Sequence, residues 1–186
     1  LECVFCDHPV FKKKMRLGCM EDSLLLKILS DVSEDWGGEK IHELGLVGLG
    51  EPTLDKRWLN HLNIISDYSS CFDRISLNSN LVSLSLEKSK EALDSAINTF
   101  TFSINASNKQ HYHEMMKIDQ FDQVIENFNN FLDAWQKNGK PASVDVQIFD
   151  SNKSSVEDLK KLLPKADDLG VNFFSRRVYS KPVIQK

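Results

Sequence analysis

Cys3-Val4-Phe5-Cys6 sets two thiols around an aromatic ring at the start of the chain. Thiolates at this spacing reach one metal ion or one cluster from a single tight turn. A second signal is Gly48-Leu49-Gly50-Glu51-Pro52, where an apolar run ends in bare backbone and one carboxylate. Soft sulfur donors beside exposed peptide groups and an acceptor carboxylate point to cofactor chemistry on an α/β scaffold.

Such chemistry needs strands to deliver the glycine segment and helices to cover them. Apolar runs at 41–49, 74–77, 99–104, 143–149 and 171–178 read as buried strands. Between them the apolar residues fall three or four apart. Leu24, Leu25, Ile28, Leu29 and Val32 share one helical face, and so do Trp58, Leu59, Leu62 and Ile65. Phe121, Val124, Phe128, Leu132 and Trp135 mark the longest helix, which Asn138-Gly139-Lys140-Pro141 stops. Ser155 with Asp158 opens a further helix, and Pro164 should end it. The spacing leaves room for crossovers, so the expectation is one α/β domain with a parallel sheet buried beneath helices. Periodicity alone leaves open whether the sheet is doubly wound or curled into a barrel.

In parallel sheets ligands bind at the carboxyl ends of strands. Gly50-Glu51-Pro52, Asn78-Ser79-Asn80, the 103–107 segment beginning at Ser103, and Asp150-Ser151-Asn152 fall there, with Arg176 and Arg177 on the last strand. Gln147, inside the fourth strand, reads as an interior amide. His111 and His113 fall in a polar segment and read as a solvated loop. A net charge of −4 with one short basic cluster, Lys12-Lys13-Lys14-Met15-Arg16, argues against nucleic-acid binding. No apolar run approaches the roughly 18 residues of a membrane span. Four unevenly spaced cysteines suit a reduced, cytoplasmic protein rather than a disulfide framework. Leu1 follows no initiator Met, and the thiol turn has no element before it, so the chain reads as a fragment.

With these residues in view, the chain resembles the radical S-adenosylmethionine (radical SAM) enzymes. Cys3-Val4-Phe5-Cys6 resembles the last two cysteines of that family's Cys-x3-Cys-x2-Cys loop, and Gly50-Glu51-Pro52 its Gly-Gly-Glu-Pro segment. The resemblance implies a partial (β/α)6 barrel, spanning 1–186 as a core domain, with the first strand and first cluster cysteine before Leu1. It implies a 4Fe-4S cluster on Cys3 and Cys6, and S-adenosyl-L-methionine (AdoMet) on the open iron. Reductive cleavage would give a 5′-deoxyadenosyl radical that takes hydrogen from a small-molecule or peptide substrate. The electron would come from a reductant such as flavodoxin or ferredoxin. Position by position, Phe5 would meet the adenine, and Gly50, Glu51 and Pro52 the methionine amino group. Asn78, Asn80 and Ser103 would meet the ribose and carboxylate.

Leu49 stands where the family often has a second glycine, and Cys19 reads as a packed thiol at the wrong interval for a ligand. His8-Pro9 with Gly18-Cys19-Met20-Glu21 is similar to branches acting on peptides, sugars or aminocyclitols that carry an auxiliary-cluster domain downstream. No residue is singled out as a general acid or base. Two other readings keep the same residues: a catalytically silent β/α binding module, and a zinc-binding α/β domain adding His8 and Cys19 to the thiol pair.

Overall fold

Strand order follows chain order. The computed structural model describes residues 3–6, 18–35, 38–48, 50–149 and 154–176. Within them β1 (Ile41–Leu46), β2 (Phe72–Ser79), β3 (Thr99–Ser103), β4 (Ser143–Phe149) and β5 (Asn172–Arg176) each pair in parallel with the next. Crossovers between parallel strands are right-handed, so strands laid down in sequence place every crossover on the same face. A doubly wound sheet needs a reversal of direction, and this one has none. The result is the wall of a partial barrel.

The helices follow as α1 (Asp22–Asp35), α2 (Trp58–Asp67), α3 (Leu86–Asp94), α4 (Lys109–Met116), α5 (Phe121–Lys137), α6 (Val156–Leu162) and α7 (Pro164–Asp168). Gly139, in the left-handed region at φ 75°, turns the chain out of α5. Ser155 caps α6 by accepting the Asp158 amide at 3.2 Å. Pro164 does more than end that helix: it sits in the first turn of α7, where its missing N–H costs nothing.

The register explains how the two faces of the sheet differ. Residues side by side in parallel strands share a face. Glu43 pairs with Arg74, Ser76 with Thr99, Thr101 with Asp145, and Ser103 with Gln147, so one face is polar. Ser76 Oγ donates to Glu43 Oε1 at 2.6 Å, and Asn172 Nδ2 donates to Asp145 Oδ1 at 2.9 Å. The alternate residues Ile75, Leu77, Phe100, Phe102, Val146 and Ile148 are buried. The expectation of strands buried on both faces is therefore corrected. Thr99-Phe100-Thr101-Phe102-Ser103 alternates with period two, the pattern of a strand covered on one side.

The covered side is built on aromatic contacts. Phe131 of α5 meets Phe100 at 4.9 Å and Phe102 at 4.7 Å between ring centroids, and Phe128 meets Phe102 at 5.6 Å. All four rings are fully buried. Phe131→Ala should lower the unfolding free energy in urea by about 3–5 kcal/mol; a loss below about 1 kcal/mol would mean that this aromatic cluster is not the core.

Candidate functional site

The thiol turn is held by two backbone bonds. Cys6 N donates to Cys3 O at 3.0 Å and closes the turn; Val4 N donates to Met115 O at 3.0 Å and docks it on the last turn of α4. Phe5 packs on Phe149, at the carboxyl end of β4, with ring centroids 4.1 Å apart. Cys3 is buried and Cys6 half-buried. Burial pushes the Cys3 thiol up from its ordinary range, and the neighbouring Cys6 adds to the rise. The turn thus sets two sulfurs side by side, and burial disfavours charge on Cys3.

Glu51 lies between the ends of β1 and β2 and is almost saturated with donors. Its Oε1 accepts from Thr53 Oγ1 at 2.8 Å and from Ser79 Oγ at 2.9 Å, and its Oε2 accepts the Asn80 amide at 2.9 Å. Ser79 Oγ also accepts the Leu81 amide at 3.0 Å, and Asn80 Oδ1 the Val82 amide at 3.0 Å. Asn127 Nδ2 reaches over from α5 to Leu81 O at 2.7 Å. This web holds Leu81, fully buried, at φ 68°. Leucine resists that left-handed conformation, so the turn keeps it only because so many bonds over-determine it.

A cavity of about 930 Å³ opens beside these groups, lined by Cys3, Phe5, Cys6, Gly50, Glu51, Pro52 and Asn80. Of the nine cluster and AdoMet contacts that the family resemblance implies, these seven meet there. Asn78 and Ser103 do not line the cavity; their register puts them on the polar face of the sheet. Gly48 and Gly50 both face the cavity, and a Cβ on either would meet no atom within 4 Å. Packing therefore leaves both positions open, and the bare peptide faces the cavity. The rest of the wall is apolar, from Leu25 and Leu29 of α1, Leu44 and Leu46 of β1, and Leu62 and Ile65 of α2.

Several expectations need correction. Cys19 is an exposed thiol on the cavity wall, not a packed one. His111 and His113 lie on α4 rather than in a loop. His111 is buried with Nδ1 2.6 Å from Ser154 Oγ, while His113 is exposed with Nδ1 2.6 Å from Asp119 Oδ1. Gln147 is buried and donates to Asn105 Oδ1 at 3.4 Å, as an interior amide should. Arg176 is exposed with its guanidinium 5.7 Å from the Phe174 ring centroid. His8, Leu49, Asp150, Ser151, Asn152, Arg177 and the basic cluster at 12–16 lie outside the described residues. Sequence reading placed Ser79 at the strand end but not its bond to Glu51, and it missed Thr53, since small hydroxyl residues near a turn carry no pattern that marks them as donors to Glu51.

Among the described residues no group of three or more His, Cys, Asp or Glu side chains is placed to hold a metal ion, so the thiol pair supplies two ligands. No helix there is long and apolar enough to cross a membrane.

Two outcomes follow from this geometry. Iodoacetamide followed by mass spectrometry should modify Cys19 first and Cys3 last in the metal-free protein, because Cys3 is both buried and slow to ionise; early Cys3 labelling would mean that the turn is not docked. Glu51→Ala should cost about 2 kcal/mol of stability by leaving the Ser79 and Asn80 donors without their acceptor, which urea unfolding reads; an unchanged midpoint would mean that the carboxylate is not tying the strand ends together.

No protein-family model and no curated protein matches the chain in sequence. Solved structures do match it. Streptococcus suis SuiB bound to the precursor peptide SuiA superposes with a TM-score of 0.70 at 16% identity, over 96% of this chain and 37% of that one. Native anSMEcpe with bound AdoMet gives 0.72 at 16% identity, over 100% of this chain and 50% of that one. The same protein with AdoMet and the Kp18Cys peptide gives 0.70 at 15%. The chain thus spans half or less of the length of these structures. Both neighbours are radical SAM enzymes, and the sequential parallel sheet with its thiol turn and glycine segment at one mouth has the fold of their partial barrel.

Proposed function

We propose that this chain is the core of a radical SAM enzyme, with Cys3 and Cys6 as ligands of a 4Fe-4S cluster and AdoMet in the adjoining cavity. The observation that carries this reading is the meeting of the thiol pair, the two open glycines and Glu51 around one cavity. The donor set suits the group in kind, since thiolates are the ligands such clusters take. It is one thiolate short, so the reading requires a third cysteine from outside these 186 residues. It also gives the open edge of β1 to a further strand from outside the described residues, as part of a longer domain.

When bound, the cluster and AdoMet would supply an electron and a sulfonium C–S bond whose cleavage leaves a 5′-deoxyadenosyl radical. The protein binds, orients and shields. Gly48 and Gly50 offer carbonyl oxygens to an ammonium group without a side chain in the way. Glu51 has one carboxylate edge in use at Oε1 and a single bond at Oε2, leaving room for one more donor. Its main work is to fix the ends of β1 and β2 so that those carbonyls do not move. Phe5, locked against Phe149, offers a flat apolar surface for adenine, and Asn80 adds a polar group at the rim. Asn78 and Ser103 serve the substrate side, on the polar face.

That polar face suits a substrate rich in hydrogen-bonding groups. A peptide is the favoured class, because SuiB was solved with a precursor peptide and anSMEcpe with a peptide beside AdoMet. The electron would come from a small carrier such as flavodoxin or ferredoxin, in the reducing cytoplasm.

Anaerobic reconstitution with iron and sulfide tests the reading. Protein extended upstream to include that third cysteine should turn brown with four irons per protein and, once reduced, convert AdoMet to 5′-deoxyadenosine, and Cys6→Ala should abolish both. A colourless protein holding one zinc, or one that binds neither metal nor AdoMet, would overturn it in favour of a zinc domain or a silent module.

A further inference from the structure

Three oxygens behind the glycine segment fix the direction of a hydrogen-bond chain. Thr53 Oγ1 lies 2.8 Å from Glu51 Oε1 and 2.5 Å from Ser83 Oγ. Oxygens this close need a proton between them. A carboxylate only accepts, and each hydroxyl owns one proton. The Thr53 proton therefore goes to Glu51, and the Ser83 proton goes to Thr53. Thr53 is fully buried, and the Lys88 ammonium donates to its carbonyl oxygen, so the middle of the chain is held from both sides. Ser83 lines the same cavity as Glu51, and its oxygen has only lone pairs left to offer a ligand.

Asn80 is fixed in the opposite sense. Its Oδ1 accepts the Val82 amide at 3.0 Å, and because a backbone N–H can only donate, the side-chain amide is left with Nδ2 to donate. Asn80 and Ser83 stand three residues apart in one turn, and both line the cavity. The wall therefore presents acceptors in Ser83 Oγ and Glu51 Oε2, with a donor in Asn80 Nδ2. Its complement is a group that carries several donors beside an acceptor. An α-amino acid head, ammonium next to carboxylate, is the compact match; a lone hydroxyl supplies one donor, and a phosphate ester supplies none. We infer that Ser83 is a further recognition residue of this cavity, accepting a hydrogen bond from the amino group of an α-amino acid ligand. The inference deepens the AdoMet reading and rests on it, since AdoMet ends in such a head.

Titration calorimetry on cluster-loaded protein extended upstream tests this with two probes. One is S-adenosylhomocysteine, and the other is its desamino analogue, in which hydrogen replaces the amino group. Ser83→Ala should weaken S-adenosylhomocysteine by about tenfold and leave the analogue unchanged, because only the first carries the donor that Ser83 accepts. Ser83→Thr keeps the hydroxyl and should stay within about twofold of the parent for both probes. Equal weakening of both probes in Ser83→Ala, or the same loss in Ser83→Thr, would assign the effect to the shape of the wall and overturn the inference. Unchanged affinities in Ser83→Ala would remove Ser83 from the contact surface and overturn the inference alone. A parent protein that loads no cluster, or binds neither probe, would sink the AdoMet reading and this inference with it.

Discussion

One carboxylate holds the mouth of this fold together. Glu51 takes donors from Thr53, just beyond it, and from Ser79 and Asn80 at the end of the neighbouring strand. Strand ends are where a parallel sheet loses its ladder and its backbone groups need other partners. Here a single anion gathers them, and the gathering is tight enough to hold Leu81 in a conformation it would not otherwise keep. The glycine peptides beside it inherit that rigidity. A surface meant to hold a ligand's charged groups benefits from being fixed before the ligand arrives.

The sheet behind that mouth divides its labour by face. Helices packed through Phe128 and Phe131 cover one side, and the polar residues that alternate with the core occupy the other. Sequential winding produces this asymmetry, since every crossover falls on the same side. The thiol turn is then docked from the far edge by one amide on Met115 and one ring on Phe149. Those anchors come from α4 and β4, while Glu51 follows β1. The cavity therefore lies between groups far apart in the chain, and its shape depends on the whole wall.

Much of this was legible in the sequence because it rests on short-range patterns. The strand at 143–149 and the stop after α5 follow directly from alternation and a C-cap glycine. The thiol pair and Gly50-Glu51-Pro52 stand out because cysteine spacing and glycine beside a carboxylate are rare without cause. The one-sided burial of the strands was also written there, in the Thr–Phe alternation of β3, but the apolar content of each run concealed it. Other features could not be read. His111 looked solvated because nothing local announces Ser154, which reaches it only through the fold. Cys19 looked packed because its neighbours are apolar, yet α1 leaves it on an open wall.

The central claim is that the thiol pair and the glycine segment serve the same bound group. Electron–nuclear double resonance on the reduced, cluster-loaded full chain measures this most directly, using AdoMet labelled with 15N at its amino group. A resolved 15N coupling to the cluster is the result the account predicts, because the amino group would bind iron while lying against Gly48 and Gly50. A loaded, paramagnetic cluster with AdoMet bound and no 15N coupling would contradict it.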